Sequence, residues 1–205
     1  MGLLKGLGDG NKTLAFDKVH GMKIARDAHR FWRRSLIAAT VAAFLCAAAG
    51  AKGPDLYGPN ATSPEPGVLL AGQPTGEQVQ LAAEDGYKTL IDLRMPAEPR
   101  GFDEVEAARL TGLVYVNLPV NPATLDQTTI DRFLAAIKRA QKPVLVHCST
   151  GSRTGALWYA WLVLEKGKTP AAALAEAKAA GLRQPELIEK IEKLVAARKA
   201  AKPGG

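Results

Sequence analysis

Cysteine and histidine are scarce in this chain. Its 205 residues hold two cysteines, Cys46 and Cys148, and three scattered histidines, His20, His29 and His147. Two cysteines build no disulfide framework, and no Cys/His group has the spacing of a zinc site, so neither a structural metal nor a cofactor is expected. A broad basic surface is also missing, despite a formal net charge of +7. Residues 1–34 carry eight basic and three acidic side chains (+5), residues 183–205 carry six and three (+3), and residues 35–182 carry thirteen and fourteen (−1). The excess sits in the tails, which argues against a nucleic-acid partner. Long apolar runs are absent but for one, the seventeen uncharged residues 35–51.

That run sets the reading of the N-terminal region. As a helix it would span about 26 Å, slightly less than a hydrocarbon core of about 30 Å. Arg30, Arg33 and Arg34 precede it and no basic cluster follows directly. By the positive-inside tendency, residues 1–34 form a basic cytoplasmic tail and the rest of the chain lies outside the cytoplasm, at the cell membrane. Three readings fit: a retained single-pass anchor, an export signal cleaved near Ala51 after Ala49-Gly50-Ala51, and a buried alanine-rich helix of the following domain. Residues 52–67, rich in Pro, Gly, Asn and Ser, read as a linker.

Residues 68–200 alternate strand and helix. Strands are expected at 68–71, 89–93, 113–120 and 143–147. Between and after them run amphipathic helices with recognisable ends: Thr75 with Gln78 as a capping box, Gly112 as a stop, Thr124 or Asp126 as a cap, and Thr169-Pro170 as a start. This order implies an α/β fold, a mostly parallel central sheet flanked by helices. Ligands of such sheets sit beyond the carboxyl ends of the strands.

At one such end stands Val144-Leu145-Val146-His147-Cys148-Ser149-Thr150-Gly151-Ser152-Arg153-Thr154-Gly155, an apolar strand, a tight polar loop and a helix start. Unpaired N–H groups of a first helical turn, the helix dipole and an arginine fork make an anion site. A cysteine in that field favours its thiolate, which is the nucleophilic form. Cys148 is therefore the expected nucleophile and Arg153 the oxyanion clamp. Gly151 allows close approach of the backbone, and Ser149, Thr150 and Ser152 contribute chiefly N–H groups to substrate binding.

His-Cys-x-x-Gly-x-Arg-Thr resembles the signature loop of the cysteine-dependent protein phosphatases, tyrosine-specific and dual-specificity. Four residues, Ser149 to Ser152, separate Cys148 from Arg153, one fewer than the usual five. With Ala71-Gly72-Gln73-Pro74-Thr75, Thr89-Leu90-Ile91-Asp92-Leu93-Arg94 and Leu118-Pro119-Val120, the stretch more closely resembles the bacterial beta-lactamase-hydrolase-like phosphatase domain. The resemblance implies attack of Cys148 on a phosphomonoester, of a protein or a small molecule, through a phosphocysteine. It further implies that Thr154 donates its hydroxyl to the thiolate and that His147 hydrogen-bonds the loop backbone. Arg94 and Glu98 can pair and brace the loop. A proton donor to the leaving oxygen is expected after Leu118-Pro119-Val120, where Asn121 is unsuited and Asp126 is the candidate, although a helix cap is its competing role. A rhodanese-like sulfurtransferase working through a Cys148 persulfide is the alternative, because a shorter loop makes a smaller cradle and persulfide transfer needs no such acid. A binding module for phosphorylated ligands is a third reading.

Overall fold

The structure, a computed structural model, describes residues 54–201. The basic tail 1–34 and the apolar run 35–51 lie outside the described residues. Among those described, no helix is long and apolar enough to cross a membrane.

Five strands and six helices follow in order: β1 (Thr62–Glu65), β2 (Val68–Ala71), α1 (Gly76–Glu84), β3 (Thr89–Asp92), α2 (Glu104–Thr111), β4 (Val114–Asn117), α3 (Gln127–Arg139), β5 (Val144–His147), α4 (Ser152–Leu164), α5 (Pro170–Ala179) and α6 (Pro185–Ala201). The strands form one sheet in the order β1-β2-β5-β3-β4. Every pairing is parallel except β1 with β2. The α/β class with a mostly parallel sheet is therefore as expected.

Strand periodicity divides the core. Leu69, Leu90 and Leu145 join α1 and α2 on one face, with Val79, Ala82 and Ala108. Leu70, Ile91 and Val146 join α3 to α6 on the other, with Phe133, Trp158, Ala177 and Ile191. Alternate residues serve opposite faces, so a strand covered on both sides reads as an unbroken apolar run. α4 is buried on nearly its whole circumference, which explains its lack of a polar face.

The helix ends follow their signals. Thr75 and Gln78 form the full capping box on α1, Gly112 ends α2 in the left-handed region, and Thr169 caps α5 with Pro170 in its first turn. Thr75 and Thr169 satisfy amides that a first turn leaves open, and Gly112 donates its N–H to the last-turn carbonyls of Ala108 and Arg109.

Residues 54–67 depart from the linker reading. A 3-10 turn, Pro54–Tyr57, leads into edge strand β1, and Pro66-Gly67 turns the chain back into β2. Tyr57 is buried and its hydroxyl donates to Asp85. Proline is compatible with an edge strand, whose outer N–H groups have no ladder partner. The composition of a linker and that of a short edge strand are thus alike.

The register places the site. Ala71, His147, Asp92 and Asn117 stand in one row across β2, β5, β3 and β4, at the carboxyl ends. The chain leaves all four strands on the same side, and the cysteine loop leaves from β5.

Candidate active site

Cys148 follows β5 directly, and α4 begins four residues later at Ser152. Gly151 makes the turn with φ +90°, a conformation that a side chain would strain. A Cβ there would also come within 2.7 Å of the Ala180 carbonyl oxygen. The turn aims the Gly151 N–H at Cys148 Sγ, 3.1 Å away. Cys148 is buried, while Ser149 and Thr150 are exposed above it.

Arg153 closes the loop from the first turn of α4, with 7% of its surface exposed. Its Nη1 and Nη2 donate to the two carboxylate oxygens of Glu98 at 2.5 and 2.7 Å. Nη1 also lies 3.4 Å from the Leu93 carbonyl and 3.2 Å from that of Val120, and Nη2 donates to Ser149 Oγ at 3.1 Å. Burial by itself would lower its pKa, but the Glu98 hydrogen bonds and the charges of Cys148 and Glu98 raise it above the ordinary value. The guanidinium thus remains fully charged beside the sulfur. Glu98 in turn is held below the usual carboxylate range, chiefly by Arg153.

The expected pairing of Arg94 with Glu98 does not form. Arg94 is fully buried, with Nε donating to Asp92 Oδ1 at 2.8 Å and Nη2 bonded to Glu104. Residues 92 and 94 are two apart on an extended chain and share a face, whereas Glu98 has turned toward α4. Arg94 therefore pairs with the buried carboxylates of Asp92 and Glu104, and Glu98 with Arg153 at the start of α4. Tyr115 and Arg100 also donate to Asp92, at 2.9 and 3.2 Å. Burial opposes ionisation of Asp92, yet the Arg94 hydrogen bonds and the neighbouring positive charge outweigh it and keep the carboxyl far below its usual range.

His147 links this buried group to the loop. Its Nδ1 is 3.4 Å from the Cys148 carbonyl oxygen, and its Nε2 is 3.1 Å from Glu104 Oε1 and 3.8 Å from Asp92 Oδ1. Asp92, Glu104 and His147 are close enough to share a cation. However, both Asp92 oxygens and Glu104 Oε2 already accept from guanidinium groups. A donor set so neutralised suits arginine better than a divalent ion.

Thr154 has a different partner from the one expected, and Asp126 takes the role of helix cap that competed with acid catalysis. The Thr154 hydroxyl donates to the Ala71 carbonyl at the end of β2, at 3.3 Å, and not to the sulfur. It is buried where α4 meets the sheet, and the carbonyl is the acceptor in reach. Asp126 caps α3, with Oδ1 accepting from the Thr129 amide at 2.8 Å and the Thr129 hydroxyl at 2.7 Å. Those two bonds hold its carboxyl below the usual range, the wrong direction for a proton donor near neutrality.

Ser152 donates its hydroxyl to Gln184, at the entry to α6. Gln184 and Leu187 border a cleft of about 360 Å³ shared with Pro122 and Ala123. A second cleft, about 520 Å³, opens beside Ser149 and is lined by Pro59, Pro74, Arg100 and Phe102. Sequence reasoning missed Gln184, Arg183 and Asn60, whose side chains reach the loop or its neighbours from distant segments. Asn60 opens an Asn-Ala-Thr triplet, but nothing local links it to residue 150.

The chain is 34% identical over 90 residues to the beta-lactamase hydrolase-like protein of Xylella fastidiosa (strain Temecula1), a match covering 42% of this chain and 21% of that protein. Its counterpart in Agrobacterium fabrum (strain C58) is 30% identical over 95 residues, 44% of this chain and 22% of that one. The chain thus spans about a fifth of the length of these curated relatives. Solved structures of similar fold include a DUF442 protein from Shewanella putrefaciens CN-32 (23% identity, 71% of this chain and 92% of that one, TM-score 0.59). P. aeruginosa TpbA in complex with pTyr (19%, 75% and 95%, 0.54) and the core catalytic domain of the PP-IP phosphatase SIW14 from S. cerevisiae (18%, 70% and 94%, 0.57) share it as well. Residues 59–193 match the family described as DSP-PTPase phosphatase fused to NAD+ kinase, and the chain belongs to that family of cysteine-dependent phosphatases.

Proposed function

We propose that the chain hydrolyses phosphomonoesters through a phosphocysteine at Cys148. The observation that carries this reading is the pairing of an inward N–H on Cys148 Sγ with a buried, fully charged Arg153 braced by Glu98. Positive charge and an aimed amide stabilise an anionic sulfur before substrate arrives. They also meet the equatorial oxygens of a phosphoryl group as charge develops on them. In the first step the Cys148 sulfur forms a bond to phosphorus as the ester P–O bond breaks. In the second, water displaces the sulfur and releases phosphate.

Leaving-group chemistry narrows the substrate. Asp126 is committed to its cap and Glu98 to Arg153, and both carboxyls are held low. Neither is a proton donor near neutrality. Aryl phosphates, whose phenolate leaves without prior protonation, suit such a site, and alkyl phosphates react slowly. The fold shared with a protein crystallised with pTyr supports the aryl class. The basic cluster ahead of residues 35–51 supports a catalytic domain outside the cytoplasm, anchored at the membrane or exported.

The commitment of these two carboxyls elsewhere, with the four-residue loop, favours the sulfurtransferase as a second reading. Assays on p-nitrophenyl phosphate and on thiosulfate with cyanide, wild type beside Cys148→Ser, separate the two. Phosphate release that vanishes in the variant is the expected result; turnover of thiosulfate alone overturns the proposal.

A further inference from the structure

The first three carbonyls of the cysteine loop, those of Cys148, Ser149 and Thr150, each face a partner outside the Cys148–Arg153 turn. The Cys148 carbonyl oxygen faces His147 Nδ1 at 3.4 Å, that of Ser149 accepts from the Gln73 N–H at 3.0 Å, and that of Thr150 accepts from Asn60 Nδ2 at 2.9 Å. In a trans peptide the C=O and the following N–H point in opposite directions. A carbonyl drawn outward therefore turns the next N–H inward. At the Thr150–Gly151 peptide the consequence is visible, because the Gly151 N–H ends 3.1 Å from Cys148 Sγ.

Asn60 is suited to this task by both conformation and contacts. Its φ of +56° lies in the left-handed region, which asparagine tolerates better than most residues. Arg183 Nη2 donates to Asn60 Oδ1 at 2.7 Å. A guanidinium only donates, so this bond fixes the amide with its NH₂ toward the Thr150 carbonyl. Arg183, Asn60, the Thr150–Gly151 peptide and the Cys148 sulfur thus form one directed chain of hydrogen bonds, drawn from the segments before β1 and before α6.

We propose that Asn60 is a positioning residue for Cys148, orienting the Thr150–Gly151 peptide so that its N–H stabilises the sulfur anion. The inference rests on the reading of Cys148 as a thiolate nucleophile. Arg153 is the charged group facing the same sulfur, and its own partners, Glu98, Leu93, Val120 and Ser149, do not include Asn60.

The test follows the alkylation of Cys148 by iodoacetamide in the full chain. It is read on the Cys148 peptide by mass spectrometry so that Cys46 does not contribute, over a pH series from acid to alkaline. Asn60→Gly keeps the left-handed backbone and removes both side-chain bonds. Asn60→Asp keeps the shape and the Arg183 partner but sets an acceptor against the Thr150 carbonyl. Both are expected to alkylate about fivefold more slowly below the midpoint of the wild-type pH profile, the scale of part of one hydrogen bond to a charged acceptor. Their rates at alkaline pH, where every thiol is ionised, should match wild type. Arg183→Met, at an exposed position, should shift the profile in the same direction by less, and it decides the matter if the Asn60 variants do not fold. A pH–rate profile equal to wild type throughout in the folded variants overturns the proposal. Because alkylation needs no phosphate substrate, a wild type that alkylates readily but releases no phosphate would defeat the proposed function and leave this inference standing.

Discussion

At Asp126 one carboxylate oxygen takes both the amide and the hydroxyl of Thr129, so the group serves α3 and stays ionised. Asp126→Asn retains a good cap while removing any capacity to donate a proton. Turnover of an alkyl phosphate, whose leaving oxygen needs a proton, should stay within about twofold of wild type in that variant, since loss of a true general acid costs about 100-fold or more. A loss on that scale would restore Asp126 to the chemistry. Glu98 presents the opposite case. Its partner was expected to be the neighbour Arg94, but the charge it neutralises lies on α4, 55 residues away. Cys148 and Arg153 were legible because strand, loop and helix start are contiguous. The partner that braces Arg153 was not, because nothing local distinguishes an exposed glutamate from one that meets a buried guanidinium.

Elements whose signals are local were readable: the Thr75 box, the Gly112 stop and the apolar strands. β1 was not, because four residues containing a proline carry no usable periodicity. The crossing of α4 with α5 was equally hidden. Gly155 lies where an added Cβ would approach the Ala177 carbonyl oxygen to 2.5 Å and Leu182 Cβ to 2.9 Å. Backbone cannot step aside as a side-chain tip can. Gly155→Ala should therefore destabilise the fold by about 1–3 kcal/mol, as overpacking does. The check is urea denaturation. An unchanged midpoint would show that the two helices are not in such close contact.

Across the whole molecule, the sheet brings to one end a positively polarised loop in front and a nearly charge-balanced group behind it. The buried carboxyl of Asp92 and the Arg153-bound Glu98 both have lowered pKa values in the folded protein. The unfolded chain, with carboxyls near about 4, binds more protons than the folded one as the solution is acidified. Stability from these groups is fully present above that range and is lost as pH falls through the folded values. The melting temperature should hold near neutrality and drop steadily below about pH 4. A midpoint that stayed level down to pH 3 would mean that these pairings contribute nothing net.

The central claim is that a sulfur–phosphorus bond forms at Cys148. Rapid acid quench of the enzyme during turnover of an aryl phosphate, followed by mass spectrometry of its peptides, tests it directly. The account predicts a phosphoryl group on the Cys148 peptide, absent from Cys148→Ser. An unmodified Cys148 peptide during active phosphate release, or one that carries only an extra sulfur after thiosulfate, would contradict it.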